Sequence, residues 1–285
     1  MNRAQTRALL ARRGLRLRRE LGQNFLIDEP QARRLAELAC VGEGDVVLEI
    51  GTGLGALTRA LAERASRVVT LEVDSGVVAA LREESLLPPG VELHHADALE
   101  TRLAPLIGTT PRDRAKVVAN LPYSAATPLL RALLDLRECF GSWSVMLQRE
   151  VALRLTAKPG ERDYGSFAVL HSLAAQLEVV AQLPAGVFFP APKVVSSFVR
   201  ITPRREAELS GAELRAVERV VRAAFGQRRK TLANALRGGG FGERCDAAIE
   251  AVGVDPRARA ETLEPEAFRR LAAALAPDRS DEPSR

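Results

Sequence analysis

Residues 45–63, DVVLEIGTGLGALTRALAE, decide the fold of this chain. The segment begins with the apolar run Val46–Ile50, which is typical of a strand buried on both faces of a parallel sheet. Gly51, Gly53 and Gly55 follow at once, and glycine allows the backbone conformations of a tight turn from strand to helix. The stretch therefore predicts a strand–turn–helix unit in which bare backbone can approach a ligand.

The same alternation of strand and helix continues along the chain. Four further segments have the apolar, β-branched composition of strands: residues 67–72, 91–94, 116–119 and 143–147. Repeated units of this kind predict an α/β, Rossmann-like fold, with a doubly wound sheet covered by helices on both faces. Residues 177–183 and 195–201 alternate with period two and predict a closing antiparallel hairpin.

Composition divides the chain into four regions. Residues 1–20 form a basic arm with seven arginines, and residues 21–203 carry the Rossmann-like pattern. Residues 204–276 contain only helical patterns, which predict a small all-helical C-terminal domain. The polar residues 277–285 are expected to form a flexible tail.

Charge and cysteine usage narrow the class of protein. The net charge of +5 fits a polyanionic partner, although arginine-rich proteins without such a partner are also basic. The three cysteines and three histidines lack the spacing of disulfide frameworks or metal sites, so we expect no metal. No apolar run is long enough to span a membrane. We expect a cytoplasmic protein without a membrane partner; a transit peptide is the alternative interpretation of the arginine-rich N-terminus.

Acidic residues follow two further predicted strands. Glu72 lies about twenty residues after Gly51, where a carboxylate accepts hydrogen bonds from ribose hydroxyls. A nicotinamide dinucleotide uses the same pair, and Gly51-x-Gly53-x-x-Ala56 fits its relaxed motif. Asp97 follows the third strand of the Rossmann-like pattern, where a carboxylate can accept from an adenine amino group. Together with a polar–proline motif after the next strand, Asp97 favours S-adenosylmethionine as the cofactor.

That motif is Asn120-Leu121-Pro122-Tyr123. The amine of adenine is a weak nucleophile, because its lone pair is delocalised into the ring. The side-chain oxygen of Asn120 and a main-chain carbonyl such as that of Leu121 can accept both amino hydrogens and aim the lone pair at a methyl donor. Pro122 stiffens the turn, and Tyr123 offers a face for base stacking. The tetrapeptide alone is typical of a plain turn; its place after a strand favours a reaction centre.

Five segments in one order add a family resemblance. They are GQNFL (22–26), EIGTG (49–53), NLPY (120–123), FFPAPKV (188–194) and FGQRRKTL (225–232). Through them the chain resembles, from about residue 20 to about residue 275, the KsgA (RsmA) family of small-subunit ribosomal RNA adenine dimethyltransferases. The resemblance implies dimethylation of the 6-amino groups of two adjacent adenosines in the 3′-terminal hairpin of 16S rRNA, with a role in small-subunit biogenesis.

The resemblance also implies site residues. Phe188 would be the second aromatic wall of the adenine pocket, opposite Tyr123, and the alternative is that Phe188 fills the core. Contacts to S-adenosylmethionine are expected at Gln23, Asn24, Leu26, Gly51, Gly53, Glu72, Asp97 and Asn120.

A basic cluster in the helical region is predicted to bind RNA. It consists of Arg228, Arg229, Lys230 and Arg237, beside a stripe of apolar residues. A solvated helix face is the alternative interpretation. The expected partner is 16S rRNA or the precursor of the small ribosomal subunit, and the protein is expected to be a monomer.

Four other functions remain open at this point. An Erm-type enzyme would methylate one adenosine of 23S rRNA. A DNA adenine methyltransferase typically has Asp where this chain has Asn120. A non-catalytic assembly or transcription factor could keep the fold, and a dehydrogenase could use the same glycine turn.

Overall fold

The described residues form two compact units. A computed structural model describes residues 1–18, 22–108, 114–122, 125–205, 208–227 and 229–276. Unit 1 consists of Met1–Ala152 and Leu177–Pro203, and unit 2 of Leu153–Gln176 and Arg204–Arg285. The predicted tail, residues 277–285, lies outside the described residues. Among the helices that are described, none is long and apolar enough to cross a membrane.

Unit 1 is organised around a seven-stranded sheet of order β4-β3-β2-β5-β6-β9-β7. The strands are β2 (Val46–Ile50), β3 (Arg67–Glu72), β4 (Glu92–His95), β5 (Ala115–Asn120), β6 (Phe140–Gln148), β7 (Ala175–Leu183) and β9 (Ser196–Pro203). The first five are parallel, and β9 is antiparallel to β6. This confirms the predicted α/β, Rossmann-like fold, and β7 and β9 are neighbours as predicted.

The strand order creates the position for a ligand. β2 pairs with β3 on one side and with β5 on the other. The chain therefore adds strands first on the β3 side of β2 and then, from β5 onward, on the opposite side. In open α/β sheets, ligands bind outside the carboxyl ends of the strands at such a switch point. The motif Gly51–Gly55 follows β2 directly, and the motif Asn120–Pro122 begins with the last residue of β5.

The helices of unit 1 begin where the sequence offers caps. The side chain of Asp28 accepts from the amide of Gln31 at the start of α2, and that of Asp74 accepts from two amides at the start of α4. The helices are α1 (Arg3–Arg12), α2 (Glu29–Leu38), α3 (Ala56–Ala62), α4 (Ser75–Glu83), α5 (Leu103–Ile107), α6 (Ala126–Asp135) and α7 (Arg149–Thr156), and the boundary of unit 1 falls within α7.

A two-stranded antiparallel sheet lies beside the large one. It joins β1 (Phe25–Leu26) to β8 (Phe188–Phe189), with Leu26 opposite Phe188. Both of these side chains belong to a buried apolar cluster that also contains residues of α2, α3 and β2. The GQNFL and FFPAPKV segments, far apart in sequence, are therefore paired in the fold.

The N-terminal residues, predicted to form a basic arm, contain a packed helix. Arg3–Arg12 form α1, whose Leu9 and Leu10 are buried in an apolar cluster with residues of α4. Arg13 forms ion pairs with Glu83 and Glu84 at the end of α4. The two buried leucines, and the ion pairs with acidic residues at the end of α4, hold this segment against the rest of unit 1. Its arginines are therefore partly neutralised within the protein.

Unit 2 is helical and includes residues that the sequence pattern assigned to the Rossmann-like domain. Its helices include α8 (Ser166–Ala174), α9 (Gly211–Gly226), α10 (Leu232–Leu236), α11 (Arg244–Val252) and α12 (Pro265–Ala274). Residues 153–176 belong here rather than to the predicted 21–203 domain. The reason is packing: Tyr164 donates a hydrogen bond to the Leu263 carbonyl at 2.8 Å, and its ring meets Phe225 edge-on.

Candidate active site

A pocket opens at the carboxyl ends of β2, β3, β4 and β5. Its empty volume, including the open mouth, is about 1090 Å³. The GQNFL segment and the start of the 120–123 motif contribute to its walls. The predicted site residues that line it are Gln23, Asn24, Leu26, Gly51, Gly53, Glu72, Asp97, Asn120, Leu121 and Pro122. The fold thus brings together segments separated by about a hundred residues.

Glycine is required in the turn after β2 for two reasons. Gly51 and Gly53 have φ of 85° and 55°, in the left-handed region that side chains disfavour. A Cβ at Gly53 would also be crowded, 3.0 Å from the ring of Phe25, whereas one at Gly51 would make only an ordinary contact, 3.5 Å from the main-chain oxygen of Asn120. The missing side chains therefore let neighbouring strands and the turn approach closely at the pocket floor.

Glu72 is held rigidly at the end of β3. Its Oε2 accepts from the amide of Gly53 at 2.9 Å, and its Oε1 accepts from the amide of Asp74 at 3.0 Å. Only 6% of the residue is exposed, and burial raises the pKa of its carboxyl while these amides oppose the rise. Carboxylate oxygens have further lone pairs, so the remaining acceptor capacity faces the pocket that Glu72 lines.

Asp97 and two exposed apolar side chains form another part of the wall. Asp97 Oδ1 accepts from the amide of Leu99 at 2.8 Å, which fixes the carboxylate after β4. Val73 and Leu99 also line the pocket and are 42% and 45% exposed. Exposed apolar side chains beside a fixed carboxylate suit a flat heterocycle with an amino group. Sequence patterns did not reveal these two residues, because an isolated exposed Val or Leu carries no motif.

The amide of Asn120 has a defined orientation. Its Nδ2 donates to the main-chain oxygen of Asn24 at 2.8 Å. A carbonyl oxygen can only accept, so the NH₂ group must face Asn24 and Oδ1 must point the other way. Asn120 Oδ1 accepts no hydrogen bond from any residue that the structure describes. The last residue of β5 therefore presents a free acceptor in the wall of the pocket.

The remaining residues of the predicted reaction centre differ in outcome. Leu121, 1% exposed, and Pro122 line the pocket, while Tyr123 lies outside the described residues. Phe188 corrects the prediction of an aromatic wall, because it is fully buried in the apolar cluster and does not line the pocket. A ring without exposed surface cannot stack on a base in this conformation, so Phe188 acts as the core anchor of β8.

Gln23, a predicted cofactor contact that lines the pocket, also forms hydrogen bonds within the protein. Its Nε2 donates to Asp74 Oδ2 at 2.9 Å, and its Oε1 accepts from the amide of Arg18 at 2.9 Å. Both ends of the side chain are thus engaged within the protein. Asp74 is itself buried and caps α4, so Gln23 ties the segment that contains Asn24 to a rigid helix start. We interpret Gln23 as a positioning residue for Asn24 and, through it, for Asn120.

Replacing Gln23 by Ala tests this interpretation. Two hydrogen bonds of about 1 kcal/mol each are lost, and the Asn24 carbonyl is then held less firmly. We expect the rate of the chemical step to fall roughly tenfold, with less change in the cofactor dissociation constant. Single-turnover kinetics and calorimetric titration would measure the two effects. Gln176→Ala, at an exposed glutamine of β7, is the control and should change neither.

A buried polar network lies behind the glycine turn. Glu49 of β2 is fully buried, and its Oε2 accepts from Thr58 Oγ1 at 2.6 Å and from Thr70 Oγ1 at 2.7 Å. Its Oε1, by contrast, has no hydrogen-bond partner among the described residues. Burial raises the pKa of Glu49 to about 8. The carboxyl is therefore largely protonated at neutral pH.

The predicted RNA-binding residues also differ in outcome. Arg229 and Lys230 are exposed and form no ion pair among the described residues, whereas Arg228 lies outside them. Arg237 contacts both oxygens of Asp246, at 2.9 and 2.7 Å. This correction has an electrostatic reason: a guanidinium already neutralised by a bidentate carboxylate has little charge left for a phosphate.

Comparison with protein families identifies the family of this chain. The model of the family described as "Ribosomal RNA adenine dimethylase" matches residues 14–276, nearly the whole chain. This chain belongs to the ribosomal RNA adenine dimethylase family. It is therefore a methyltransferase, and the cofactor of this family is S-adenosyl-L-methionine.

Individual relatives of the dimethylase family agree over nearly their full length. Proteins named "Ribosomal RNA small subunit methyltransferase A" are 42% identical in Moorella thermoacetica, covering 95% of this chain and 96% of the relative, and 43% identical in Phenylobacterium zucineum, covering 93% and 90%.

Solved structures give the same fold. A dimethyladenosine transferase from Plasmodium falciparum matches with a TM-score of 0.72 at 23% identity, over 87% of this chain and 95% of that one. The 23S rRNA methyltransferase ErmE matches with a TM-score of 0.67 at 29% identity, over 88% and 99%. Both are class I methyltransferases, which agrees with the parallel sheet and its switch point.

The residues of this dimethylase pocket fit S-adenosylmethionine. The fixed carboxylate of Glu72 suits the ribose hydroxyls of the cofactor, and that of Asp97 suits its adenine amine. The glycines with left-handed φ leave main-chain groups open to the rest of the cofactor. The unpartnered Oε1 of Glu49, in the wall of the same pocket, fits a ligand that brings a polar group to this atom.

The raised pKa of Glu49 makes a prediction about stability. Because its pKa is about 8 in the folded protein and near 4.5 when unfolded, unfolding releases a proton between those values. Stability should therefore fall as pH rises from about 5 to about 8. Glu49→Gln removes the titrating carboxyl. At pH 8 its free energy of unfolding should exceed that of the parent by at most about 5 kcal/mol, at 1.36 kcal/mol per pKa unit. Urea unfolding at several pH values measures this; parallel pH curves for both proteins would contradict it.

Proposed function

We propose that this chain dimethylates the 6-amino groups of two adjacent adenosines in the 3′-terminal hairpin of 16S rRNA and thereby takes part in small-subunit biogenesis. The observation that carries the proposal is the orientation of Asn120, whose Oδ1 accepts no hydrogen bond from the described residues at the end of β5. The names of the relatives, which specify the small ribosomal subunit, support the choice of RNA.

The cofactor is proposed to lie along the ends of β2, β3 and β4. Glu72 would accept from both ribose hydroxyls, and Asp97 from the adenine amine, between the apolar faces of Val73 and Leu99. Gly51 and Gly53 give the ligand access to main-chain groups. Asn24, Leu26 and Asn120 complete the proposed contacts on the side of the pocket formed by the GQNFL segment. S-adenosylmethionine supplies a methyl group activated by its sulfonium sulfur.

The target adenine is proposed to enter beside Asn120. Oδ1 of Asn120 accepts one amino hydrogen, and the Leu121 carbonyl accepts the other, so the nitrogen lone pair is directed at the methyl group. Pro122 stiffens this turn, and Tyr123 is proposed to stack on the base. Attack can precede proton loss, so no strong general base is required. Rate enhancement then comes from alignment and fixed dipoles.

The partner is proposed to be 16S rRNA within a precursor of the small ribosomal subunit, bound by a monomer in the cytoplasm. Adenines in a hairpin loop leave their stack at low cost, which favours a loop over a duplex as the target. The helical unit is proposed to bind the surrounding RNA, with Arg228, Arg229 and Lys230 as contacts. An Erm-type specificity is not favoured, since relatives named for the small subunit are more similar in sequence than ErmE.

A methylation assay on both ribosomal RNAs tests the proposal. Unmodified 16S and 23S rRNA, free and in subunits, would be incubated with the protein and S-adenosylmethionine, and dimethyladenosine would be mapped by mass spectrometry. We expect modification of two adjacent adenosines near the 3′ end of 16S rRNA. Modification confined to 23S rRNA would overturn the proposal.

A further inference from the structure

Unit 2 contains a groove lined by arginines that the mechanism does not use. One wall is α9, with Arg215, Arg219 and Arg222, and the other is Gly238–Phe241 followed by Arg244 at the start of α11. We call these residues the arginine groove. Its empty volume, including open solvent, is about 1600 Å³. All four arginines are exposed.

The charge of the groove is largely uncompensated. Within the described part of the chain, Arg215, Arg219 and Arg244 form no ion pair, and Arg222 contacts only Glu218, at 3.3 Å. Other arginines of unit 2 have acidic partners: Arg204 with Glu208, Arg259 with Glu261, Arg269 with Glu213 and Glu266, and Arg237 with Asp246. Arg229 and Lys230 are unpaired among the described residues, as three arginines of the groove are, and those three lie along a single groove.

The shape of the groove leaves the opposite wall bare. A Cβ at Gly239 would lie 2.3 Å from the Cβ of Ala223, so glycine is needed for this segment to pack on α9. Gly240 has φ of 97°, and a Cβ there would meet no atom within 4 Å. A polymer backbone can therefore approach this wall without meeting side chains, and the partly exposed ring of Phe241 lies at its end.

The spacing of the arginines matches a nucleic-acid strand. Arg215, Arg219 and Arg222 are four and three residues apart, which places them on one face of α9. At 1.5 Å per residue this row is about 10 Å long. One strand carries a charge about every 3.4 Å of helix axis, so the row can face about three phosphates.

We propose that the arginine groove binds the phosphate backbone of the RNA substrate. This inference rests on the proposed function, because it takes the substrate to be ribosomal RNA. It adds to the predicted contacts Arg228, Arg229 and Lys230 a second binding element on α9, and it replaces Arg237, whose charge is neutralised. Binding here is independent of base sequence, since phosphates carry the contact.

A charge-matched pair of triple variants tests the groove. R215Q/R219Q/R244Q removes the three unpaired charges, and R204Q/R259Q/R269Q removes three paired charges from the same unit. Binding to full-length unmodified 16S rRNA would be measured at several KCl concentrations. We expect the groove variant to bind at least tenfold more weakly near 0.1 M KCl and its salt slope to decrease by about 2, at about 0.7 per phosphate contact. The control variant should stay within about threefold of the parent.

The outcomes separate failure of the groove from failure of the proposed function. If the parent does not methylate 16S rRNA, the proposed function fails. If the parent methylates it and the groove variant keeps parental affinity and salt slope, the groove proposal is overturned. Equal losses of RNA affinity in the groove and control variants would also overturn the groove proposal, because they would show that only the net charge matters. Binding to phosphatidylglycerol vesicles would be measured as well. The groove proposal would also be overturned if the groove variant bound these vesicles more weakly than the parent while its RNA binding was unchanged.

A single charge reversal protects the test against misfolding. R219E should weaken RNA binding at least fivefold while the thermal unfolding midpoint and the cofactor dissociation constant stay at parental values. Parental RNA binding by folded R219E would count against the groove.

Discussion

Replacing Asn120 by Ala should lower the rate of methyl transfer by about 10²–10³, the usual loss when one fixed polar group at a reaction centre is removed. Oδ1, which has no donor among the described residues, is the proposed acceptor of an amino hydrogen of the base, and alanine offers none. Cofactor affinity should change less than tenfold, because Glu72 and Asp97 remain in place. Single-turnover kinetics at saturating S-adenosylmethionine measures the rate, and calorimetry measures the affinity.

Asn120→Asp provides the sharper comparison. Aspartate keeps an oxygen but cannot donate to the Asn24 carbonyl, which lies 2.8 Å from Nδ2 in the parent. Two oxygens would then face each other, so the side chain must rotate or take up a proton. We expect a loss close to that of alanine. Asn234→Ala, at an exposed asparagine of α10, is the control and should transfer methyl groups at the parental rate. Parental activity of Asn120→Ala would refute the assigned reaction centre.

Glu72→Ala should produce the opposite pattern. Two charge-assisted hydrogen bonds to the ribose hydroxyls are lost, each contributing about 1.5–3 kcal/mol. We therefore expect the cofactor dissociation constant to rise at least about 100-fold. At saturating cofactor the rate of transfer should fall less than tenfold, since Asn120 is unaffected. Calorimetric titration and the dependence of rate on cofactor concentration check the two parts.

Folding must be separated from binding in that variant. Alanine leaves the amides of Gly53 and Asp74 without their acceptor, although it also removes a buried carboxyl whose pKa is raised. Circular dichroism and the thermal midpoint would show whether the fold is kept. Glu63→Ala, at an exposed carboxylate paired with Arg33, should leave cofactor affinity unchanged. Unchanged affinity in Glu72→Ala would remove this residue from the cofactor site.

The two variants together distinguish the halves of the pocket. A rate defect for Asn120 with an affinity defect for Glu72 is expected only if the first residue acts on the base and the second holds the cofactor. Gln23→Ala should resemble a mild form of the Asn120 variant, because it acts through the Asn24 carbonyl.

Local sequence patterns were sufficient for the sheet and its ligand-binding edge. An apolar run such as Val46–Ile50 can be satisfied only by burial on both faces, and the glycines after it permit a turn that other residues disfavour. Because parallel strands align their carboxyl ends, residues that follow such strands, as Glu72, Asp97 and Asn120 do, are expected at one edge of the sheet. The structure confirms that all three line one pocket.

Contacts between distant segments were decided by tertiary structure alone. The orientation of the Asn120 amide depends on Asn24, and the role of Gln23 depends on Asp74; no spacing rule joins residues so far apart. Phe188 and Phe189 are adjacent in one motif, yet packing buries Phe188 completely in the core and leaves Phe189 partly exposed. In the sequence, Arg237 and Arg219 are both typical basic surface residues. In the structure, an acidic neighbour neutralises only Arg237. Sequence thus determined which backbone could form, since that depends on neighbouring residues. Only the folded chain determined which polar groups remain free, since that depends on partners brought together by folding.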